Sequence, residues 1–251
     1  MIHFVGAGPG DPELITMRGR RLLEEADTII YAGSLVNPVI LDWAKPGCKI
    51  YDSAGMTLEQ VLEAMETAEK TGHDTVRLHT GDPSLYGAVR EQMDALDSKG
   101  IPWDVTPGVS AFSGAAAALG AEYTLPGLSQ TLIITRMEGR TPVPEKEALA
   151  SLASHQASMA LYLSAGMAEK VQNALLSGGI PPETPAAIVY KATWPEEQVF
   201  RGTVGSLVKM AEENNITKTA LILVGKFLGE NYERSKLYDP NFSHGYRQGA
   251  L

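Results

Sequence analysis

A strand that runs into glycine and restarts as a helix is the pattern that most restricts what this chain can fold into. It is sharpest at Arg77-Leu78-His79-Thr80-Gly81-Asp82-Pro83-Ser84-Leu85-Tyr86-Gly87. Residues Thr75 to Thr80 alternate, with Val76 and Leu78 on one face, as a strand does. Gly-Asp-Pro then stops the strand, because glycine frees the turn and proline removes a ladder donor. Ser84 is expected to open a helix with apolar positions Leu85, Val89, Met93 and Leu96. This order leaves backbone N–H groups exposed at the carboxyl end of a sheet, where open α/β sheets bind small ligands. Loops of the same kind recur after Val5 and at Thr106-Pro107-Gly108-Val109-Ser110.

The loop after Val5, Gly6-Ala7-Gly8-Pro9-Gly10-Asp11-Pro12, does not complete the dinucleotide fingerprint G-x-G-x-x-G. Asp11 stands where the third glycine belongs, and Pro9 and Pro12 stiffen the turn. A nicotinamide cofactor is therefore disfavoured. Thr16 is the better N-cap for the next helix, with Leu22, Leu23 and Ala26 as its apolar positions. Strands are expected over 27–31 and 49–51, with a short helix over 39–44 between them. Thr57-Leu58-Glu59-Gln60 is a capping box that opens a helix ending at Gly72. A strand over 101–106 and an Ala/Gly-rich helix over 109–119 complete a half that repeats strand, turn, helix. That helix is so poor in bulk that it must lie close against a neighbour.

After a connector at 123–127 the grammar restarts. Strands are expected over 130–136, 159–164, 185–192, 198–202 and 219–226, and helices over 145–153, 167–176 and 203–213. The reading is two α/β domains, 1–122 and 127–228, with mostly parallel central sheets. A polar and aromatic arm follows over 229–251.

Hydrophobic residues make up 44% of the 251 positions and charged ones 20%, as in an ordinary globular chain with a real core. No apolar run approaches the roughly 18 residues that a membrane span needs. The N-terminus enters a strand at once, so no signal peptide is expected. Cys48, the one cysteine, excludes an intrachain disulfide and fits a reducing cytoplasm. The five histidines lack metal-ligand spacing, so no metal site is expected. A net charge of −9 leaves no basic stripe for nucleic acid, but does not exclude a small anionic molecule held by a few local cations.

Val5-Gly-Ala-Gly-Pro-Gly-Asp-Pro12, Gly81-Asp82-Pro83 through Gly87, Pro107-Gly108-Val109-Ser110 and Thr219-Ala220-Leu221-Ile222 occur in that order. Together they resemble the tetrapyrrole (uroporphyrinogen/precorrin) methyltransferases that use S-adenosylmethionine. Tyr31-Ala-Gly-Ser-Leu-Val-Asn37, Thr135-Arg-Met-Glu-Gly-Arg-Thr-Pro142 and Val189-Tyr-Lys-Ala-Thr-Trp-Pro195 narrow the resemblance to the subgroup methylating precorrin-4 at C11 in cobalamin biosynthesis. It covers nearly the whole chain. The resemblance implies two α/β domains with a cofactor cleft between them and a homodimeric enzyme. Its cofactor contacts carry over to Pro9, Thr80, Gly81, Asp82, Leu85, Tyr86, Ser110 and Ala111, then to Leu163, Ala192, Thr219 and Ala220. In that scheme Asp82 accepts from a ribose or amino group, and Leu163 and Ala192 flank the adenine.

A substrate rich in carboxylates needs cations, and Arg136, Arg140 and Lys191 lie in subgroup motifs at strand ends. Some relatives acting on uroporphyrinogen carry an acid just after the tyrosine of the second strand, where this chain has Ala32. No catalytic base is identified: Glu138 is one candidate substitute for the proton acceptor, as are water and the substrate's own electronics. Another methyltransferase of the same fold, acting at a different precorrin carbon or on a protein, remains open. So does a non-catalytic module that only binds S-adenosylmethionine.

Overall fold

Two five-stranded sheets organise the computed structural model, which describes residues 1–249. The first contains β1 (Ile2–Gly6), β2 (Thr28–Tyr31), β3 (Lys49–Asp52), β4 (Thr75–His79) and β5 (Trp103–Thr106). Their order is β3-β2-β4-β1-β5, and every pairing is parallel. Apolar side chains leave this sheet on both faces. Val5, Ile29, Val76 and Leu78 pack with Leu23 on one side, while Ile2, Phe4 and Ile30 pack with Met65 and Leu96 on the other. Each fully buried side chain of this size contributes roughly 1.5–3 kcal/mol.

The crossovers α1 (Met17–Glu25), α2 (Leu58–Lys70) and α3 (Arg90–Ser98) cover those faces. Thr16 caps α1 as expected, its hydroxyl accepting the Gly19 N–H at 3.1 Å. The capping box of α2 is also formed, with Gln60 N–H on Thr57 at 3.3 Å and Thr57 N–H on Gln60 at 2.9 Å. The helix expected from Ser84 instead begins at Arg90. Tyr86 and Ala88 take left-handed backbone, with φ of 56° and 48°, which an α-helix cannot include. Ser84 belongs to an Asx turn, its N–H donating to Asp82 Oδ1 at 2.8 Å. The Ala/Gly-rich helix is α4 (Ala111–Leu119), which starts two residues later than expected. It does lie close against neighbours: a Cβ added at Gly114 would come within 3.0 Å of Thr193 Cγ2 and 3.1 Å of Pro9 Cβ.

The second sheet holds β6 (Leu132–Arg136), β7 (Ser158–Tyr162), β8 (Pro185–Tyr190), β9 (Gln198–Thr203) and β10 (Ala220–Val224). Its order is β6-β7-β10-β8-β9. Helices α5 (Leu149–Ala153), α6 (Ala168–Ser177) and α7 (Leu207–Glu213) bury Val171, Leu175 and Leu207 against Met159, Leu161, Ile188, Ile222 and Val224. The parallel grammar expected of both halves holds fully in the first. Here only β6 and β7 run parallel, while β10 is antiparallel to β7 and β8, and β8 is antiparallel to β9. The short link between β8 and β9 allows only an antiparallel pair, since a parallel neighbour needs a crossover of a dozen residues or so.

The chain divides into two compact units. The first is Met1–Ala115 together with Lys191–Glu197, and the second is Ala116–Tyr190 together with the chain from Gln198 onward. The division falls inside α4 rather than in the 123–127 connector, and the β8–β9 loop packs with the first unit. Beyond Gly229 the described chain is irregular apart from a short turn at Lys236–Tyr238 and a second one closed by paired His244 and Arg247, with Tyr238 and Tyr246 exposed.

Candidate functional site

In the first unit, the loops after β1, β4 and β5 meet at the carboxyl edge of the sheet. The β1–β4 ladder continues past the strands through Ala7 N–H on His79 O at 2.7 Å. Gly8 and Gly81, both with positive φ, then bridge one another, with Gly81 N–H on Gly8 O at 2.8 Å. A Cβ added at Gly6 would sit 2.6 Å from both Gly108 Cα and Gly81 O, so three glycines let three loops touch through their backbones. Ser110 and Ala111 follow at the start of α4, where Ala111 N lies 3.5 Å from a Cβ built on Gly81.

Asp82 ties the loop after β4 to the loop after β5. Its Oδ2 accepts the Gly108 N–H at 2.8 Å, and its Oδ1 accepts both the N–H and the hydroxyl of Ser84. Burial alone would raise this carboxyl, but the Ser84 and Gly108 hydrogen bonds outweigh it and hold the group below its ordinary value. Asp82 is thus an ionised carboxylate with a lone pair left on Oδ2. Leu85 is half-buried beyond it, and Tyr86 is exposed on its left-handed backbone.

The Lys191–Glu197 loop brings further residues to the same unit. Trp194 Nε1 donates to Pro9 O at 2.9 Å, and Asp11 N–H donates to Thr193 Oγ1 at 3.0 Å. Ala192, just before them in sequence, is buried, and Thr193 has φ 68°. Lys191 lies 3.3 Å from Glu196 and 5.1 Å from the centroid of the Trp194 ring. From the loop after β2, Asn37 Nδ2 donates to Gly10 O at 2.9 Å.

In the second unit, β10 runs antiparallel to β7 and β8, so its first residues lie at the edge where those strands end. Ala220 pairs with Tyr190, and Arg136 pairs with Tyr162 at the ends of β6 and β7. Arg136, Leu163, Thr219 and Ala220 therefore share one edge. Leu163 (φ 53°) and Thr219 (φ 55°) are both left-handed, and Leu163 is 66% exposed. Non-glycine residues persist in that region only where surrounding structure holds them, and such residues gather at functional loops. Ser164, fully buried, joins the two neighbouring loops: its hydroxyl donates to Tyr162 O at 2.6 Å and accepts Met137 N–H at 2.8 Å.

Arg136 is engaged with its own loop. Its guanidinium donates to Thr141 O at 3.2 Å and Pro142 O at 2.7 Å, closing residues 137–142 into a ring. Glu138 and Arg140 are exposed on that ring. Among the described residues, no group of three or more His, Cys, Asp and Glu is placed to hold a metal ion, and no helix is long and apolar enough to cross a membrane.

The model of the family Tetrapyrrole (Corrin/Porphyrin) Methylases matches residues 1–208, which contain every loop of the first unit just described. The chain belongs to this family. A Methanocaldococcus jannaschii relative named cobalt-precorrin-4 C(11)-methyltransferase is 53% identical over 248 residues, covering 98% of this chain and 96% of its own. A Pseudomonas aeruginosa relative named precorrin-4 C(11)-methyltransferase is 43% identical over 249 residues, covering 99% of each. Among solved structures, the X-ray structure of cobalt precorrin-4 methyltransferase, a cobalamin biosynthetic enzyme, matches with a TM-score of 0.89 at 45% identity. It covers 91% of this chain and 96% of that one. Uroporphyrin-III C-methyl transferase from Thermus thermophilus, complexed with S-adenyl homocysteine, matches with a TM-score of 0.75 at 28% identity, covering 90% of this chain and 92% of that one.

Family membership leaves the roles of individual side chains to geometry. Sequence reasoning quoted Asn37, Thr193 and Trp194 inside motifs but assigned them nothing, and it passed over Ser164. Their shared signal is a polar side chain beside a strand end, which becomes informative only once its acceptor is known.

Proposed function

We propose that this protein transfers a methyl group from S-adenosylmethionine to C11 of precorrin-4, in its cobalt-bearing or metal-free form, as a step of cobalamin biosynthesis. The observation that carries the reading is 53% identity across 98% of the chain to a protein of that name. We further propose a cytoplasmic homodimer with two catalytic α/β domains.

The residues fit the cofactor chemically. S-adenosylmethionine supplies a sulfonium methyl whose departure leaves a neutral thioether, so the protein has no developing anion to stabilise. Positioning then carries most of the barrier reduction. Asp82, kept ionised, retains acceptor capacity for a ribose hydroxyl or the amino group. Gly81 and Pro9, with Thr80, Ser110 and Ala111, offer close backbone approach. Leu85, Tyr86, Leu163 and Ala192 supply apolar surface, and Thr219 and Ala220 complete the proposed contacts.

Arg140 and Lys191 are assigned to the substrate's carboxylates. Arg136 is assigned to shaping the loop that carries Arg140, because its donors already serve Thr141 and Pro142. Glu138, exposed on the same loop, is the proposed acceptor of the proton lost from the macrocycle.

Calorimetry with S-adenosylhomocysteine, on wild type and Asp82→Ala, tests the cofactor. A tenfold or greater weakening in the variant, about 1.4 kcal/mol, is expected. Mass spectrometry of both precorrin-4 forms incubated with enzyme and S-adenosylmethionine tests the reaction. Gain of one methyl group is expected, and no gain on either form by protein that binds the cofactor would overturn the assignment.

A further inference from the structure

Three consecutive residues of the β1 loop have their main chain held by side chains from elsewhere in the first unit. Pro9 O accepts from Trp194 Nε1, Gly10 O accepts from Asn37 Nδ2, and Asp11 N–H donates to Thr193 Oγ1. The loop cannot satisfy these groups itself. Gly8 is already paired with Gly81, and proline has no N–H to offer. Pro9 and Gly10 are buried, so their carbonyls need partners inside the protein.

The holding side chains are themselves constrained. Asn37 is oriented by Val39 N–H, which donates to its Oδ1 at 3.2 Å. The Trp194 ring occupies the space that a side chain at position 10 would need, so Gly10 is a requirement of this contact. Thr193, β-branched, sits at φ 68°, a conformation such residues rarely adopt. It is kept there by its N–H on Glu197 Oε2 at 2.6 Å and by the Asp11 contact. Glycine or asparagine would relieve the strain, but neither supplies a hydroxyl at that point.

Asn37 and Thr193–Trp194 lie in two of the motifs that mark the precorrin-4 subgroup. Neither Asn37 nor Trp194 carries a charge suited to a carboxylate-rich macrocycle, and both aim their donors at loop carbonyls. We propose that Asn37, Thr193 and Trp194 are positioning residues that lock the backbone of Pro9–Asp11 in the shape that receives S-adenosylmethionine. The proposal rests on the methyltransferase reading, which makes this loop part of the cofactor's seat.

The test is calorimetric titration of S-adenosylhomocysteine into wild type, Asn37→Ala, Trp194→Phe, Thr193→Val and Thr193→Ser, with steady-state kinetics alongside. Thr193→Val keeps the shape and loses the hydroxyl, whereas Thr193→Ser restores it. Expected is a loss of about fivefold in affinity for Asn37→Ala, Trp194→Phe and Thr193→Val, the scale of one neutral hydrogen bond, and wild-type affinity for Thr193→Ser. The KM for S-adenosylmethionine should rise with it, while the tetrapyrrole KM stays unchanged. Equal affinity across the set would overturn the proposal. So would a rise in tetrapyrrole KM alone, or a Thr193→Ser variant as weak as Thr193→Val. Wild type that fails to bind would instead overturn the methyltransferase reading itself, a separate result.

Discussion

The two sheet edges carry their candidate residues by different means. At the parallel edge of the first unit, glycine does the shaping: Gly6, Gly81 and Gly108 bring three loops together through bare backbone. At the mixed edge of the second unit the bends fall on Leu163 and Thr219, which are not glycines, and side chains such as Ser164 and Arg136 hold the loops. A glycine edge is intolerant of added atoms. A side-chain edge is intolerant of lost hydrogen bonds. Added atoms should therefore do most damage at the first edge, while lost side-chain hydrogen bonds should damage the second edge and also the first-edge pins Asp82, Asn37, Thr193 and Trp194.

The largest effect is expected at the glycine edge. Gly6→Ala forces a Cβ to 2.6 Å from two backbone atoms of different loops and should cost about 3 kcal/mol in denaturant unfolding. Gly55→Ala, where nothing lies within 4 Å and φ is not positive, is its control. A Gly6→Ala variant as stable as Gly55→Ala would break the comparison.

The next effect is on acid stability. His79 is buried beside Phe4, its Nε2 has no partner, and burial followed by the nearby Arg77 charge pushes its pKa down to about 3. Unfolding returns it to about 6.5, so the unfolded state binds the extra proton between those values. Stability is intact above pH 6.5 and falls as pH drops toward 3, by about 2 kcal/mol between pH 7 and pH 5. His79→Asn should lose this pH dependence whatever its stability at pH 7, and urea midpoints at the two pH values read it.

A smaller loss is expected at the side-chain edge. Ser164→Ala leaves Met137 N–H without its acceptor and should cost about 1–2 kcal/mol. Faster hydrogen exchange confined to residues 137–142 and 163–165 would separate a local pin from general destabilisation. Arg136→Ala should have the least effect on folding. It opens the 137–142 ring, and we expect the tetrapyrrole KM to rise about fivefold with S-adenosylhomocysteine affinity unchanged. Equal loss of both would remove the loop from substrate recognition.

This contrast also explains what could be read from residues alone. Glycine and proline announce a turn, so the three loops of the first unit were legible without any relative. Capping residues announced helix starts at Thr16 and Thr57. Leu163, Ala192 and Thr219 carry no such signal, and they entered only through resemblance. The helix expected at Ser84 failed for the same reason. Leu85, Val89, Met93 and Leu96 keep helical spacing, yet Tyr86 and Ala88 turn the backbone left-handed. Periodicity registers which side chains are buried, not the sign of φ. The mixed second sheet was missed because strand direction depends on which neighbour a strand meets.

Short-range physics was enough to determine the strands, the capped helices and the glycine turns, since each depends on residues close in the chain, whereas the family entered through resemblance. Tertiary structure alone decided that Asn37 would meet Gly10, that Trp194 would meet Pro9, and that Asp82 would join the loop after β4 to the loop after β5. It also decided that Arg136 would close its own loop. These contacts link backbone groups to side chains as many as 185 residues apart in sequence. A main-chain carbonyl is identical at every position, so no pattern of side chains can say which one a distant donor will reach.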